Sequence, residues 1–351
     1  MAMLVTGAGG LVGGAVAAEL AARGHRVRAM LRRPGPVLAH DGGPAGTRVE
    51  PVCGDVRQPD LGLNTAALRD VTTIVHCAAL TGFAEPAEAY RAVNVDGTLH
   101  VLALGARLNA PVVLVSTAYV CGTRSGTILE RDLPDDGFAN GYEASKAAAE
   151  RAARAAMATG QPVVVARPSI IVGAWEDGAI RRFGDVYLLL RMFALGRLRT
   201  MPVCAGATLD FVAIDRVARG IAHLAERPHD FTGRTLHLTS GLPVTPDELA
   251  REAAARSFPV PRFVDPAAFS LRALPGGEAR LHRGMAALYA SYLARAPAFD
   301  RSAAAALPGF DRPAGGTAHL SRVIGHAIAA GFLPDPAAAP ARAVPAVRAV
   351  A

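Results

Sequence analysis

The stretch Thr6-Gly7-Ala8-Gly9-Gly10-Leu11-Val12-Gly13 decides the fold of this chain. It joins a short apolar run typical of a strand, Met3–Thr6, to a longer segment typical of a helix, Leu11–Arg23. A glycine-rich turn between a strand and a helix is typical of dinucleotide-binding proteins, although a purely structural turn would use glycines too. The strand before it and the helix after it favour dinucleotide binding.

Gly7, Gly10 and Gly13 of this turn follow a GxxGxxG spacing. The commoner GxGxxG spacing would need a glycine at position 12, where this chain has Val12. The first glycine permits the tight turn, the second lets backbone N–H groups approach a pyrophosphate, and the third lets the helix pack closely on the sheet. The start of the helix adds partial positive charge, and no GK[ST] follows, which excludes a Walker P-loop. We therefore expect the pyrophosphate to be held by Gly7, Gly10, Leu11, Val12 and Gly13.

Apolar, β-branched runs alternate with longer helix-like segments through the first two-thirds of the chain. This alternation predicts a doubly wound parallel sheet of the Rossmann α/β type, covered by helices on both faces. The expected strands are Met3–Thr6, Arg26–Leu31, Arg48–Val52, Thr73–Cys77, Val112–Ser116, Val163–Arg167 and Thr235–Leu238. The expected helices are Leu11–Arg23, Pro86–Leu108, Tyr142–Thr159 and Asp215–Glu226.

Two stretches interrupt this alternation and predict a smaller, mostly helical cap that encloses the substrate. Residues 173–208 carry aromatic side chains and several arginines, and residues 241–333 resemble helices and loops with no clear strand. We expect a dinucleotide-binding domain over residues 1–172 and 209–240, with the cap formed by the two interrupting stretches. The Ala- and Pro-rich residues 334–351 are typical of a disordered tail.

Composition excludes several classes of protein. Of 351 residues, 51% are hydrophobic and 19% are charged, which predicts a packed core and excludes disorder for most of the chain. No apolar run reaches the roughly 18 residues of a membrane span. The chain begins with a strand-like run and not with a basic segment followed by an apolar one, so we expect no secretory signal.

The cysteine and charge patterns bear on disulfides, metal sites and nucleic-acid binding. Four cysteines without CxxC pairing predict reduced thiols in a cytoplasmic protein, with neither a disulfide framework nor a metal site. The net charge of +7 comes from scattered arginines and no basic block, so we expect a basic surface and no nucleic-acid binding.

The residues after the second expected strand indicate which dinucleotide is bound. An NAD site places a carboxylate there to accept a hydrogen bond from the ribose 2′-hydroxyl, whereas Leu31 is followed here by Arg32 and Arg33. Guanidinium groups pair well with a 2′-phosphate, so NADP(H) is favoured over an exposed basic turn of no function. Gly54-Asp55-Val56, after the third expected strand, is placed for a contact with adenine.

Tyr142-Glu143-Ala144-Ser145-Lys146 places a phenol and an ammonium group four residues apart, and thus on one face of a helix. A neighbouring ammonium stabilises the phenolate and lowers the pKa of the phenol, which suits it to proton transfer. Lys146 is the only lysine among 37 Lys and Arg residues. Arginine can replace lysine as a surface charge but not as a compact hydrogen-bonding ammonium, so we expect a catalytic role for this pair.

Thr117 follows the fifth expected strand in Val115-Ser116-Thr117-Ala118-Tyr119-Val120. Ligands of open α/β sheets bind at the carboxyl ends of the strands. We therefore expect the Thr117 hydroxyl to donate to a carbonyl oxygen alongside Tyr142, with Ser116 directed the other way.

The motifs TGAGGLVG, GDV, VHCAA, NVDGT, VSTAYV, YEASK and ARPSIIVG occur in this order over residues 3–225. Together they resemble the extended short-chain dehydrogenase/reductases. VSTAYV, NGYEASKAAAE and RPSIIVG are most similar to the branch that contains thioester reductases and fatty acyl-CoA reductases, the male sterility type of NAD-binding domain. The segment after RPSIIVG departs from the Thr-Gly usual in that branch, and residues from 241 onward match nothing in it.

The resemblance implies roles for individual residues. Thr117, Tyr142 and Lys146 would form the catalytic set. Asn94 would support the backbone of the active site. The implied cofactor contacts are the glycine turn for the pyrophosphate, Arg32 and Arg33 for the 2′-phosphate, Asp55 and Val56 for adenine, Ala78 for the face of the cofactor, and Pro168 and Ser169 for the nicotinamide amide.

The resemblance implies an NADPH-dependent reductase that transfers hydride to a carbonyl group. The carbonyl it favours is that of an acyl thioester, or of the aldehyde derived from it, in lipid or secondary metabolism. The substrate would be a small molecule or an acyl thioester, bound to coenzyme A or to a carrier protein. Alternatives are an NADP-dependent alcohol or ketone oxidoreductase, a sugar-nucleotide epimerase or dehydratase, and a non-enzymatic NADP sensor. The Ala-rich helix Tyr142–Thr159 suits either a homodimer or packing against its own sheet.

Overall fold

A seven-stranded parallel sheet with helices on both faces forms the centre of the computed structural model. The structure describes residues 1–335, apart from the side chains of Asp185, Met285 and Leu288. The predicted tail therefore lies outside the described residues from position 336 onward. The doubly wound α/β sheet that the alternation predicts is confirmed.

The described strands and helices follow each other along the chain as expected for this fold class. The strands are β1 (Ala2–Thr6), β2 (Arg26–Leu31), β3 (Val49–Cys53), β4 (Val71–His76), β5 (Val112–Val115), β6 (Gly126–Ile128), β7 (Val163–Pro168), β8 (Ile170–Val172), β9 (Thr200–Pro202), β10 (Phe211–Ala213), β11 (Thr235–Leu238), β12 (Arg262–Val264) and β13 (Pro297–Phe299). The α-helices are α1 (Leu11–Ala22), α2 (Ala87–Tyr90), α3 (Gly97–Leu108), α4 (Gly141–Ala158), α5 (Asp185–Ala194), α6 (Ile214–Glu226), α7 (Pro246–Ala254), α8 (Gly276–Leu281), α9 (Ala287–Ala290) and α10 (Gly316–Ala329).

The central sheet has the strand order β3-β2-β1-β4-β5-β7-β11, and all neighbouring strands are parallel. From β1 the chain builds outward in one direction to β3, then returns to build in the other direction from β4. In open α/β sheets, ligands bind at the carboxyl ends of the strands where this reversal occurs. The crevice at the ends of β1 and β4 is thus the place for a ligand.

Apolar strands explain the central sheet, because β1, β5 and β7 are buried along their whole lengths. Strands buried on both faces need helices on both sides of the sheet. Helices α1 and α6 pack into the core on one face, and α3 and α4 pack into the core on the other.

The expected helix over Pro86–Leu108 is interrupted by a π-helical stretch, Arg91–Asp96, between α2 and α3. Such a stretch adds a residue to one turn and is frequent at functional sites. Here it contains Asn94, which is buried.

The expectation that residues 241–333 hold no strand is wrong. Strand β12 pairs with β9, and β13 pairs with β6. Each of these strands has three residues, too few to show an alternating pattern, and each is stabilised by a partner far away in sequence. The sequence pattern also missed β8 and β10, which pair with each other.

A second apolar core joins residues of the 173–208 stretch to residues of the 241–333 stretch. Tyr187 and Met201 from the first stretch and Leu249 and Ile324 from the second are among its buried members.

In the described part of the chain, residues 1–335, no helix is long and apolar enough to cross a membrane.

Candidate active site

The glycine turn between β1 and α1 leaves no room for side chains at two of the predicted positions. Gly7 has φ +67°, and a Cβ there would lie 2.6 Å from the backbone nitrogen of Ala78. A Cβ on Gly13 would lie 2.3 Å from the carbonyl oxygen of Gly7. These close approaches bring the start of α1, with its free N–H groups, to the crevice at the ends of β1 and β4, which fits the binding of a dinucleotide pyrophosphate.

The predicted adenine end of the site lies beyond β2 and β3. Arg32 and Arg33 are exposed at the end of β2. Asp55 accepts hydrogen bonds from the guanidinium of Arg57, which, with a smaller contribution from the charge of Arg32, lowers the pKa of the carboxyl. Val56 is buried against α3. The structure therefore places a pair of exposed arginines close to where a ribose would lie.

Arg181 is a site residue that the sequence analysis missed. Its Nη2 donates to the carbonyl oxygens of Gly10 at 2.7 Å and Gly9 at 3.2 Å, and its backbone N–H donates to the carbonyl oxygen of His40, so it lies against the glycine turn beside the loop that contains His40. Its Nε is buried without a hydrogen-bond partner among residues 1–335. No motif could have found it, because Arg181 is one of many arginines and is brought to the turn only by tertiary structure.

Thr117 lies just beyond the carboxyl end of β5, as predicted. Its backbone is extended, and its Oγ1 accepts a hydrogen bond of 3.2 Å from the backbone N–H of Tyr119, which begins a short 3₁₀ turn. The hydroxyl of Ser116 is buried and finds no partner in the described part of the chain.

Tyr142 and Lys146 lie one turn apart on α4, whose first turn is capped by Asn140. The Lys146 side chain is buried, and its Nζ donates to the carbonyl oxygen of Val115 at 2.7 Å, at the end of β5. Tyr142 is half-buried and packs against Phe83, with 6.0 Å between ring centroids. Helix α4 therefore brings Lys146 to the strand end that Thr117 follows, with Tyr142 one turn earlier beside Phe83.

Burial lowers the pKa of Lys146 to about 8, although the charge of Glu150 acts in the opposite direction. Between this pKa and its ordinary value of 10.5, the folded chain holds Lys146 neutral while the unfolded chain holds it protonated. The unfolded state then binds more protons, so folding stability gains a contribution from Lys146 as pH rises through this range.

We expect this contribution to appear in a comparison with Lys146→Met. From pH 7 to pH 10, the free energy of unfolding of the wild type should rise relative to the variant by about 3 kcal/mol, since one pKa unit corresponds to about 1.4 kcal/mol. Urea unfolding of both proteins at each pH measures it, and titrating groups that the charge of Lys146 does not affect cancel in the difference. A constant difference across this range would contradict the burial of the ammonium.

Asn94 ties α4 to the loop after β4. Its Nδ2 donates to the hydroxyl of Ser145 at 2.8 Å and to the carbonyl oxygen of Leu80 at 3.0 Å, and its Oδ1 accepts from the backbone N–H of Leu80 at 2.7 Å. Ser145 lies within the Tyr142–Lys146 motif. The side chain thus holds the backbone beside the predicted catalytic pair.

His76 and Cys77 lie at the end of β4, beneath the crevice. His76 bonds to the hydroxyls of Thr6 at 2.8 Å and Thr98 at 3.2 Å, and burial, with the nearby charge of Lys146, lowers its pKa to about 3. Burial raises the pKa of the Cys77 thiol to about 12. Both side chains are therefore neutral at physiological pH and suit a structural role.

Ala78 and Ser169 border the crevice from β4 and β7. The backbone N–H of Ala78 donates to the hydroxyl of Thr6 at 3.3 Å, directly opposite Gly7. Ser169 follows Pro168, and its hydroxyl donates to Asp210 at 2.5 Å. Because that hydroxyl donates to a buried carboxylate, it could take part in a nicotinamide contact only by accepting a hydrogen bond.

The aromatic side chains beside Tyr142 come from an unexpected part of the chain. The ring of Phe83 packs against Tyr289 at 5.7 Å and stacks on Tyr292 at 5.7 Å. The aromatic stretch Phe183–Phe193, within the 173–208 stretch, is largely core: Tyr187 is buried and accepts from the backbone N–H of Gly173.

Comparisons with known proteins agree with this geometry. The chain is similar to the isonitrile lipopeptide synthase of Streptomyces coeruleorubidus, with 29% identity over 64% of this chain and 17% of that protein. It is also similar to the 2-alkyl-3-oxoalkanoate reductase of Stenotrophomonas maltophilia, with 28% identity over 73% of this chain and 75% of that protein. The chain spans about a fifth or less of several large curated relatives it matches.

Its fold is similar to that of the terminal R domain from the myxalamid PKS-NRPS biosynthetic pathway, with a TM-score of 0.79, 27% identity, and coverage of 95% of this chain and 92% of that one. The sequence family described as male sterility protein, an NAD-binding family, matches residues 5–221. With its Rossmann sheet and its glycine turn, this NAD(P)-binding oxidoreductase belongs to the male sterility protein family, the thioester-reductase-like branch of the extended short-chain dehydrogenase/reductases.

Proposed function

We propose that this chain is an NADPH-dependent reductase that delivers hydride to the carbonyl carbon of an acyl thioester or of the aldehyde derived from it. The observation that carries the proposal is the position of α4, which directs the buried Lys146, one turn after Tyr142, to the carbonyl oxygen of Val115, two residues before Thr117. The reductases among the relatives support the reaction class, since the myxalamid R domain covers nearly the whole chain.

The crevice fits a nicotinamide dinucleotide. The glycine turn approaches Ala78 too closely for any side chain, and the start of α1 and Arg181 lie at the place for a pyrophosphate. Bound NADPH would supply the hydride. Gly7, Gly10, Leu11, Val12, Gly13 and Arg181 would hold its phosphates, and Arg32 and Arg33 would pair with its 2′-phosphate.

The residues of this chain would act on the carbonyl oxygen. The hydroxyls of Thr117 and Tyr142 donate to it and stabilise the negative charge that develops there. For an aldehyde or ketone, Tyr142 then gives its proton to that oxygen, and the Lys146 ammonium stabilises the phenolate that remains. For a thioester, the hemithioacetal collapses, the thiol leaves and an aldehyde remains.

We further propose that residues 173–208 and 241–333 form the cap over the substrate. They build the second apolar core, and the rings of Tyr289 and Tyr292 reach Phe83 beside Tyr142. An acyl chain held on these rings would place its carbonyl near the hydroxyls. The acyl group would arrive on coenzyme A or on the phosphopantetheine arm of a carrier protein.

The test is consumption of NADPH, followed by its absorbance, with octanoyl-CoA, octanal and 2-octanone as probes. We expect turnover with the first two and formation of octanal or octanol. Turnover with 2-octanone alone would instead favour an alcohol or ketone oxidoreductase. Binding of NADPH without consumption on any probe would contradict a reductase and favour an NADP sensor.

The choice of NADPH over NADH is tested by Arg32→Ala. A charge-assisted hydrogen bond contributes about 1.5–3 kcal/mol, so the Kd for NADPH should rise by about tenfold or more. The Kd for NADH should stay unchanged, because it lacks the 2′-phosphate. Fluorescence titration measures both, with Arg227→Ala as the control, since Arg227 is an exposed arginine paired with Asp230. An equal loss for both dinucleotides would overturn this role for Arg32.

A further inference from the structure

Arg295 lies beyond the residues that match the family, yet its side chain is buried against two segments of the candidate site. Its Nη2 donates to Oε1 of Glu143 at 2.6 Å. Its Nη1 donates to the carbonyl oxygen of Gly122. Only 2% of Arg295 is exposed, and Glu143 is not exposed at all.

Two aromatic rings, which also contact each other, lie against the guanidinium. The central carbon of Arg295 lies 4.8 Å from the ring centroid of Tyr119 and 4.5 Å from that of Tyr292. A planar guanidinium can stack on rings and donate along its edge at the same time, which the ammonium of lysine cannot do. Arg295 is therefore held by hydrogen bonds from its two terminal nitrogens and by contact with two rings, while its Nε is buried and has no hydrogen-bond partner within the described residues 1–335.

The partners of Arg295 adjoin both proposed hydroxyl donors. Glu143 follows Tyr142 directly, and its carboxylate also accepts from the backbone N–H of Ala139 at 3.0 Å, just before α4. On the other side, the backbone N–H of Tyr119 donates to the Thr117 hydroxyl. One guanidinium thus joins the start of α4 to the short turn that follows Thr117.

The side chain of Arg295 also contacts the group of aromatic rings beside Tyr142. Tyr292, beneath the guanidinium, stacks on Phe83, and Phe83 packs against the ring of Tyr142. The ring of Tyr119 packs edge-on against Tyr292 at 4.7 Å. Arg295 and Tyr142 are therefore linked by two independent routes, through Glu143 and through these rings.

We propose that Arg295 is a positioning residue for carbonyl reduction: through Glu143, Gly122 and Tyr292 it sets where the hydroxyls of Tyr142 and Thr117 stand relative to each other. The inference rests on the proposed reductase function. The residue touches neither the glycine turn nor Lys146 in any contact described, so its effect falls on the chemical step and not on the cofactor. Burial acts to lower the pKa of Arg295, but the hydrogen bond to Glu143 and the nearby negative charge, chiefly that of Glu143, together raise it, so the guanidinium stays charged.

The test compares Arg295→Met with Arg216→Met. Arg216 is also buried, stacks on Phe310 at 4.8 Å and donates to the carbonyl oxygens of Gly309, Arg312 and Ala314, away from α4. Removing either arginine deletes one stacked guanidinium and leaves carbonyl oxygens unpaired. Arg295→Met in addition leaves the buried carboxylate of Glu143 without its ion-pair partner, so it should lose more stability than Arg216→Met. Only Arg295 contacts the residue next to Tyr142, so a difference in kcat between folded variants reports on its relation to Tyr142.

With NADPH and octanal as probes, we expect Arg295→Met to lower kcat by about 100-fold, because misplacement of catalytic groups by about 1 Å has an effect of this size. The KM for octanal and the Kd for NADPH should each change by less than about threefold. Arg216→Met should keep kcat within about threefold of the wild type. Wild-type kcat in a folded Arg295→Met protein, or an equal loss in Arg216→Met, would overturn the proposal.

A second variant, Arg295→Lys, tests the proposal if Arg295→Met does not fold. Lysine at this position can reach Glu143 or Gly122 but cannot donate to both in the planar geometry of a guanidinium while it lies against the rings, so Arg295→Lys should lower kcat by about tenfold. Unchanged kcat in Arg295→Lys would equally overturn the positioning role.

Hydrogen exchange separates a failure of this inference from a failure of the reductase proposal. If the wild type consumes no NADPH with octanoyl-CoA, octanal or 2-octanone, the proposed function has failed, and the exchange measurement still applies. Amides in residues 117–124 and 139–146 should exchange faster in Arg295→Lys, while those in residues 2–31 should not change. Unchanged exchange in both segments would overturn the positioning role on its own.

Discussion

Replacing Tyr142 by phenylalanine should lower kcat with octanal and NADPH by about 1000-fold, because general acid catalysis by a positioned side chain contributes about 100- to 10,000-fold. The ring remains, so its packing against Phe83 is kept and only the proton donor is lost. The Kd for NADPH should stay within about twofold of the wild type, since the glycine turn is untouched.

The control for Tyr142→Phe is Tyr90→Phe, which removes a hydroxyl bonded to the carbonyl oxygen of Gly82 in the neighbouring loop. That variant should retain turnover within about tenfold of the wild type, because no group that contacts substrate is lost. A Tyr142→Phe protein with near-normal kcat would remove Tyr142 from the mechanism and leave Thr117 as the donor to the carbonyl oxygen.

Replacing Arg167 by methionine should lower the free energy of unfolding by about 3–5 kcal/mol, the usual effect of removing one partner of a buried ion pair. Arg167 and Glu150 are both fully buried, and the guanidinium makes two parallel hydrogen bonds to the carboxylate, of 2.9 Å and 2.6 Å. It also donates to the carbonyl oxygens of Glu130 and Asp132. Methionine would leave the Glu150 charge without a partner.

Urea unfolding measures this loss, and the double variant Glu150→Met/Arg167→Met provides the decisive comparison. With both charges removed, apolar side chains of similar length fill the space, so the double variant should be more stable than Arg167→Met alone. Arg227→Met, which breaks an exposed pair with Asp230, should lose at most about 1 kcal/mol. A loss below about 1 kcal/mol in Arg167→Met would show that the buried pair is not needed for stability.

The sequence predicted the central sheet because each of its strands carries a local signal. Apolar runs such as Val112–Ser116 and Val163–Arg167 are recognisable from a few neighbouring residues, and they agree with β5 and β7 to within one residue. Strands β12 and β13 could not be predicted, since three residues carry no periodicity and their stability comes from pairing with distant segments.

The candidate site, like the sheet, combines residues that local motifs indicate with residues that only tertiary structure brings together. Tyr142, Lys146 and the glycine turn belong to short motifs, which can be recognised in a sequence by their fixed spacing. Arg181 and Arg295 reach the site from segments 172 and 152 residues away from their partners. In a chain so rich in arginine, nothing in the sequence distinguishes these two from arginines on the surface.

Lys146 also has a practical consequence for measuring the opening of this fold. Within these 351 residues it is the single lysine, and only 3% of it is exposed, in the middle of α4. A protease that cleaves after lysine therefore finds its one target only when α4 separates from β5 and unwinds. Such an enzyme would cut these 351 residues once, into fragments of 146 and 205 residues, and the rate of that cut would report how often α4 leaves the sheet.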